Sequence, residues 1–224
     1  LKILPNFKIR MKFFKSLNYM QYILFSGHRK GHGIHSPIIF HIVSELFRNK
    51  IDSDIVFIID NVRKKLTSDK RTIRVNDLGA GQFRNKKFRK VSDIAKNSAI
   101  PEKYGILLSN FASSFGEKGI VELGTSLGLS TMYLALACKK SKVYSIEGCP
   151  ECANIAANNF SQANITNVEL ITGSFDDSLP KIIGRGVKPG LVFIDGDHRK
   201  ASVERYFYIL LKSSGYDTVF VFDY

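Results

Sequence analysis

Two stretches place an acidic residue at the end of an apolar run and glycines directly after it: Asp77-Leu78-Gly79-Ala80-Gly81 and Glu122-Leu123-Gly124-Thr125-Ser126-Leu127-Gly128. This layout is a strand running into a turn whose backbone N–H groups face a nucleotide-like ligand. A nucleoside-binding unit needs two further parts: a helix packed on the sheet, and a carboxylate about 20 positions on to hold the ribose hydroxyls. After Gly81 comes a stretch rich in lysine and arginine, with no apolar strand and no acid at a strand end in that window. After Gly128 comes an apolar helical run and then Val-Tyr-Ser-Ile-Glu, which puts Glu147 at a strand end 23 residues beyond Gly124. The second turn has every part. The first reads as a plain turn in which the glycines supply positive φ. The second turn also has a larger residue where the middle glycine of G-x-G-x-x-G belongs, which disfavours a dinucleotide and prefers a nucleoside without phosphates.

The elements that position these residues follow from periodicity. From residue 104, Lys-Tyr-Gly-Ile-Leu-Leu reads as a helix, Gly-Ile-Val-Glu-Leu-Gly as a buried strand, and Leu-Ser-Thr-Met-Tyr-Leu as a helix with an apolar face. Four further strands are expected at KVYSIEG, NVELITG, LVFIDG and DTVFVFD, with helices over PECANIAANNFSQA and ASVERYFYILLKSSG. Alternation of this kind implies an α/β fold, a Rossmann-like doubly wound and mostly parallel sheet whose ligands bind beyond the carboxyl ends of the strands. Ahead of it, residues 1–103 read as a basic, mainly helical extension. It comprises an amphipathic helix over 12–25, the loop GHRKGHGIHSP, and a helix opened by Ser36 and Pro37 as N-cap and first turn. A third helix over DIVFIIDNVRKKL, a short strand TIRVND, and a basic helical segment ended by Pro101 complete it.

VELGTSLGLST, VYSIEGCPECANIAANNF, NVELITGSFDDSLP and LVFIDGDHRKASVERYF together resemble the class I S-adenosylmethionine-dependent methyltransferases, in particular their O-methyltransferase-like branch. GHGIHSP and DLGAG are similar to the N-terminal extension of uncharacterised bacterial members. The resemblance covers residues 104–224 and implies S-adenosylmethionine as cofactor. It implies that Glu122, Gly124, Thr125, Ser126, Gly128 and Ser130 wrap the methionine end. Glu147, beside Gly148, would accept both ribose hydroxyls, a bidentate task suited to a carboxylate. Gly173, Ser174 and Phe175 would form the adenine pocket, and Asp195 would sit near the sulfonium and the substrate. The family's sheet has two further strands beyond the fifth, so a core truncated at Tyr224 is the expectation.

Methyl transfer from a sulfonium is an in-line displacement; the protein aligns donor and acceptor and, for a hydroxyl acceptor, removes a proton. Asp195 and His198 are the candidate catalytic residues, since an imidazole ordinarily titrates near ~6.5. His198 has a second reading, as a residue that caps or orients the following helix. Some relatives bind a divalent metal through an aspartate after the fourth strand and an Asp-Asn pair after the fifth. Asp195 and Asp223 match the aspartates, but Tyr224 stands in place of the asparagine, which argues against a metal requirement even though hard oxygen ligands can recruit Mg2+ weakly. His28, His32, His35 and His41 have no Cys or carboxylate among them, and Arg29 and Lys30 would repel a cation, so no zinc site is assigned. A connector, or a loop that brings His35 to the active site, are the readings of that segment. Cys149-Pro-Glu-Cys152 invites a redox reading, but its place directly after Glu147 favours helix capping.

The formal charge of +13 lies entirely in the first half: residues 1–103 carry 22 Lys and Arg against 8 Asp and Glu, and residues 104–224 carry 11 against 12. A basic extension faces something anionic, or else is a solubilising surface. Arg84, Lys86, Lys87, Arg89 and Lys90 are the residues that would line a substrate entrance. The partner expected is a small-molecule substrate, anionic or phosphorylated, with a homodimer left open. An RNA acceptor, or a non-catalytic module binding nucleic acid or a membrane surface, are the alternatives. Against the RNA acceptor, FIDGDH lacks the aromatic that would stack a flipped base. Three cysteines are too few for a disulfide framework and fit a cytoplasmic location, and no apolar run approaches the roughly 20 residues of a membrane span.

Overall fold

A computed structural model of the chain describes residues 35–75 and 87–223. The expected helix over 12–25, most of the GHRKGHGIHSP loop, the Asp77–Gly81 turn and Tyr224 lie outside them. Two compact units divide between residues 49 and 50. In the first, Ser36 caps helix α1 (Pro37–His41) by accepting from the Ile39 N–H at 3.5 Å, with proline in the first turn. The helix widens into a π-helical stretch over Ile42–Leu46, a change of winding that the apolar spacing alone does not signal.

The second unit opens with α2 (Ser53–Ser68), capped by Asp52 and burying Ile59, Val62 and Leu66, a 3-then-4 spacing that fixes one face. Strands β1 (Thr72–Arg74) and β2 (Phe88–Lys90) pair antiparallel, with Ile73 opposite Arg89. The basic segment before Pro101 is therefore not helical from its start: Phe88–Lys90 is a strand, and helix α3 begins only at Val91 (Val91–Asn97). The pairing partner lies some 16 residues upstream, so local propensity could not reveal it.

Helix α4 (Glu102–Phe115) leads into the sheet strands β3 (Ile120–Leu123), β4 (Val143–Glu147), β5 (Val168–Thr172), β6 (Leu191–Ile194) and β7 (Val219–Phe222). Their order is β5-β4-β3-β6-β7 and every pairing is parallel, which is the Rossmann-like doubly wound arrangement. The chain winds outward from β3 in one direction and then in the other, so the switch point lies between β3 and β6. The connecting helices are α5 (Leu129–Ala137), α6 (Pro150–Gln162), α7 (Phe175–Gly184) and α8 (Lys200–Leu211). Helix α7 is an addition to the expected elements. Pro180 lies inside it and reads as a breaker, but Ser174 accepts from the Asp177 N–H at 3.1 Å and two aspartates occupy the first turn, which together secure the start.

Strands β3 and β6 are buried at all four positions, as a sheet covered on both faces requires. Their side chains alternate. Ile120, Val143, Leu191 and Phe193 face a core built with α4, α5 and α6, whereas Val121, Ile146, Val192 and Ile194 face α7 and α8. The first core also takes in Ile59, Val62, Leu66, Ile73, Val91 and Ile94, so residues 50–103 share the core of the sheet. The texture change at residue 104 is a change of element type within one packed unit.

Candidate active site

The turn after β3 is squeezed between two strand ends. The backbone N–H groups of Gly124 and Thr125 both donate to the Ile146 carbonyl, at 3.0 and 3.2 Å. Gly124 has φ +104°, and a Cβ there would lie 2.1 Å from the Asp195 carbonyl oxygen, so only glycine fits. Ser126 follows with φ 50°. Its N–H donates to Glu147 Oε2 at 2.6 Å, and the Cys149 N–H donates to Oε1 at 2.8 Å. Turn and carboxylate thus meet at one point.

A cleft of about 800 Å³ opens over the carboxyl ends of the strands. From the β3 turn it is lined by Gly124, Thr125, Ser126 and Ser130, and from the end of β4 by Glu147 and Gly148. Gly173, Ser174 and Phe175 line it after β5, and Asp195 and His198 after β6. Two residues expected to wrap the cofactor do not line it. Gly128, at φ +90°, faces Phe160 and Ala156 of α6 and begins helix α5. Glu122 is fully buried beneath the turn, where the Thr131 and Ser145 hydroxyls donate to its Oε2 at 2.5 and 2.6 Å. Alternation along β3 turns Glu122 toward Ile120's face of the sheet and into helix α5. Its Oε1 has no hydrogen-bond partner among the described residues, and burial pushes the carboxyl above the usual range.

Arg89, expected at a substrate entrance, lines the cleft from the β1–β2 ribbon, and Asp223 lines it from the end of β7. The cleft also has walls that motif reading missed: Val75 enters beside the ribbon, and the irregular stretch of Ser98, Ala99, Ile100 and Pro101 closes another side. Those residue types carry no chemical signature; adjacency comes only with folding.

Residues 121–223 match the family model described as Methyltransferase domain. The catechol O-methyltransferase of Niastella koreensis is 33% identical over 128 residues, 56% of this chain and 57% of that protein. Among solved structures, the O-methyltransferase TomG of Streptomyces achromogenes, in complex with SAM, superposes with a TM-score of 0.52 at 30% identity, covering 56% of each chain. The Bacillus cereus O-methyltransferase in complex with SAH gives a TM-score of 0.55 at 25% identity, over 83% of this chain and 72% of that one. Over this region the chain is similar to class I, O-methyltransferase-like methyltransferases. It spans 57% of the length of its Niastella relative.

The charged groups of the cleft are unequal. Asp195 is pushed up to about 8, first by burial and then by the neighbouring charges of Asp223 and Glu122. Glu147 is also raised by burial, against the two backbone N–H groups that favour its charged form. Asp197 goes the other way: burial raises it, but the Arg199 guanidinium and the Ser202 hydroxyl more than offset that. Arg199 grips both Asp197 oxygens at 2.5 Å, which holds the loop after β6 with Asp197 at φ 50°. His198, half exposed, is carried on that loop with Nε2 3.9 Å from Asp195 Oδ1, beyond a direct hydrogen bond.

Cys149 stands at the N-cap of α6 but makes no side-chain cap bond. Its thiol instead donates to the Arg74 carbonyl at 3.5 Å, while Glu151 accepts from the Arg74 N–H at 3.1 Å. The C-x-x-C stretch therefore docks the β1 strand onto α6. Contact with Cys149, then burial, pushes the Cys152 thiol far up, opposite to a redox-active thiol. In the first unit, His35 is exposed and His41 Nδ1 lies 3.1 Å from Glu45. Among the described residues no group of three or more His, Cys, Asp or Glu side chains is placed to hold a metal, and no helix is long and apolar enough to cross a membrane.

Proposed function

We propose that this chain binds S-adenosylmethionine in the cleft above β3 and β4 and transfers its methyl group to an oxygen of a small, anionic acceptor. The observation that carries this reading is the meeting of the glycine turn with Glu147, joined by the 2.6 Å bond from the Ser126 N–H. Each Glu147 oxygen accepts one backbone N–H, which leaves acceptor capacity on both for a pair of ribose hydroxyls. Gly124 lets the backbone approach without a side chain, and Phe175, held edge-on by Tyr206 at 5.3 Å, offers an apolar wall for a purine.

When bound, the cofactor supplies an electrophilic methyl group. Asp195 and His198 face the same cleft, and Asp195, titrating near neutrality, suits removal of a proton from the acceptor hydroxyl. Arg89 and Lys96 at the cleft supply positive charge for an anionic acceptor, and the segment before the sheet is proposed to select it. An RNA acceptor draws on the same charge. It predicts a steep fall of affinity with salt across many phosphate contacts, whereas a small acceptor shows a shallow one.

Titration calorimetry with S-adenosylhomocysteine tests the cofactor site. The wild type binds; Glu147→Gln and Glu147→Ala lose about 10- to 100-fold in affinity, as expected for losing hydrogen bonds to a charged acceptor. Absence of heat with the wild type removes the reading. Unchanged affinity in both variants removes the ribose assignment.

A further inference from the structure

We propose that Arg63, which does not itself line the cleft, is a positioning residue that holds the wall of the cleft at Ser98–Pro101 and thereby sets cofactor affinity; this rests on the cofactor reading above. The wall joins α3 to α4 without regular structure, so its backbone groups need partners from elsewhere. The Ser98 N–H donates to the Ile94 carbonyl, and the Pro101 carbonyl accepts from Tyr104 and Gly105. The carbonyl of Ile100, a residue only 8% exposed, accepts from Arg63 Nη2 at 2.6 Å. Arg63 is anchored for this task, because Ile59, Val62 and Leu66 lock helix α2 into the shared core.

The same guanidinium also lies near enough to the Tyr133 side chain to act on its hydroxyl. Tyr133 is 1% exposed and sits on α5, the helix that begins at the glycine turn. Its ring lies so close to Gly105 that a Cβ there would be 2.2 Å away. One side chain therefore ties α2, the irregular wall and the helix after the turn together. Two of these three line the cleft. Arginine's planar fork can hold the Ile100 carbonyl while a second nitrogen faces the Tyr133 hydroxyl, which a lysine ammonium on a flexible stem does less well.

The test compares wild type, Arg63→Met and Arg63→Lys by calorimetry with S-adenosylhomocysteine and by amide hydrogen exchange of the ligand-free proteins. Arg63→Met is expected to bind about 5- to 10-fold more weakly, the scale of one lost hydrogen bond, and to exchange faster across residues 98–105. Arg63→Lys is expected to recover affinity to within about 3-fold of wild type, since it can still reach the Ile100 carbonyl. A methionine variant with wild-type affinity and wild-type exchange at 98–105 overturns the proposal, as does one whose melting temperature falls with affinity unchanged. If the wild type itself gives no heat, the cofactor reading fails, and the exchange comparison alone decides whether Arg63 holds the wall. Should Arg63→Met not fold, Arg63→Gln, too short to reach the Ile100 carbonyl, carries the same comparison, with faster exchange at 98–105 expected and unchanged exchange overturning it.

Discussion

Asp195→Asn is expected to raise the melting temperature at pH 8 and, on the proposed role of Asp195 as the base, to lower methyl transfer by about 10²- to 10⁴-fold, the usual contribution of a positioned acid or base. The folded protein holds the Asp195 carboxyl at about 8 against 3.8 for a free side chain, because burial, Asp223 and Glu122 all oppose its charge. Between those two values the folded state keeps a proton that the unfolded chain has released. Stability contributed by this group therefore falls as pH rises through the window, and the cost is complete only above pH 8. Asparagine is neutral throughout and escapes it. With one pKa unit near ~1.4 kcal/mol, and discounting for the side chain's partial access to the cleft, the gain at pH 8 is about 2–4 kcal/mol. Melting curves from pH 4 to 9 should show the two proteins converging near pH 4 and separating steadily above it. An asparagine variant less stable than wild type at pH 8 would mean that Asp195 is held charged by a partner, contrary to this account.

Gly124→Ala is expected to cost about 3 kcal/mol or more, through close backbone approach and strain together. The site has φ +104°, and the new Cβ would meet the Asp195 carbonyl oxygen at 2.1 Å. That oxygen is backbone on β6's end, where the Asp195 N–H is already bonded to the Leu123 carbonyl at 2.9 Å, so no rotamer change relieves the clash. Relief requires β3 and β6 to part at the switch point, which would also disturb Ser126 and its bond to Glu147. Ser126→Gly supplies the contrast: with φ 50°, glycine there is accommodated and the stability change should stay within about 1 kcal/mol. Urea unfolding of both variants checks the pair, and equal stabilities would refute the geometric account of the turn.

Much of the candidate site was legible before folding because it obeys short-range rules. The meeting of the Gly124 turn with Glu147 followed from a turn, a helix and a spacing, and those are properties of consecutive residues in a βαβ unit. The parallel sheet followed from alternation of apolar strands and amphipathic helices. Glu122 does not line the cleft, and the means to place it were present: period 2 along Ile120–Leu123 turns it to the face of Ile120, under the turn. Helix α7 was not among the expected elements; the Ser174 cap and the burial of Leu179 and Ile182 form it although Pro180 lies inside.

Other parts had no local signature at all. The strand at Phe88–Lys90 exists because Thr72–Arg74 lies beside it, and the wall at Ser98–Pro101 stands where Arg63, 37 residues from Ile100, can reach its carbonyl. The linear chain thus settled the type and order of the elements and the chemistry at their ends, since backbone sterics and hydrophobic period act between near neighbours. Which ordinary side chains close the cleft, and how far burial moves Asp195, was decided only in three dimensions, because desolvation and long-range hydrogen bonds depend on who is adjacent in space.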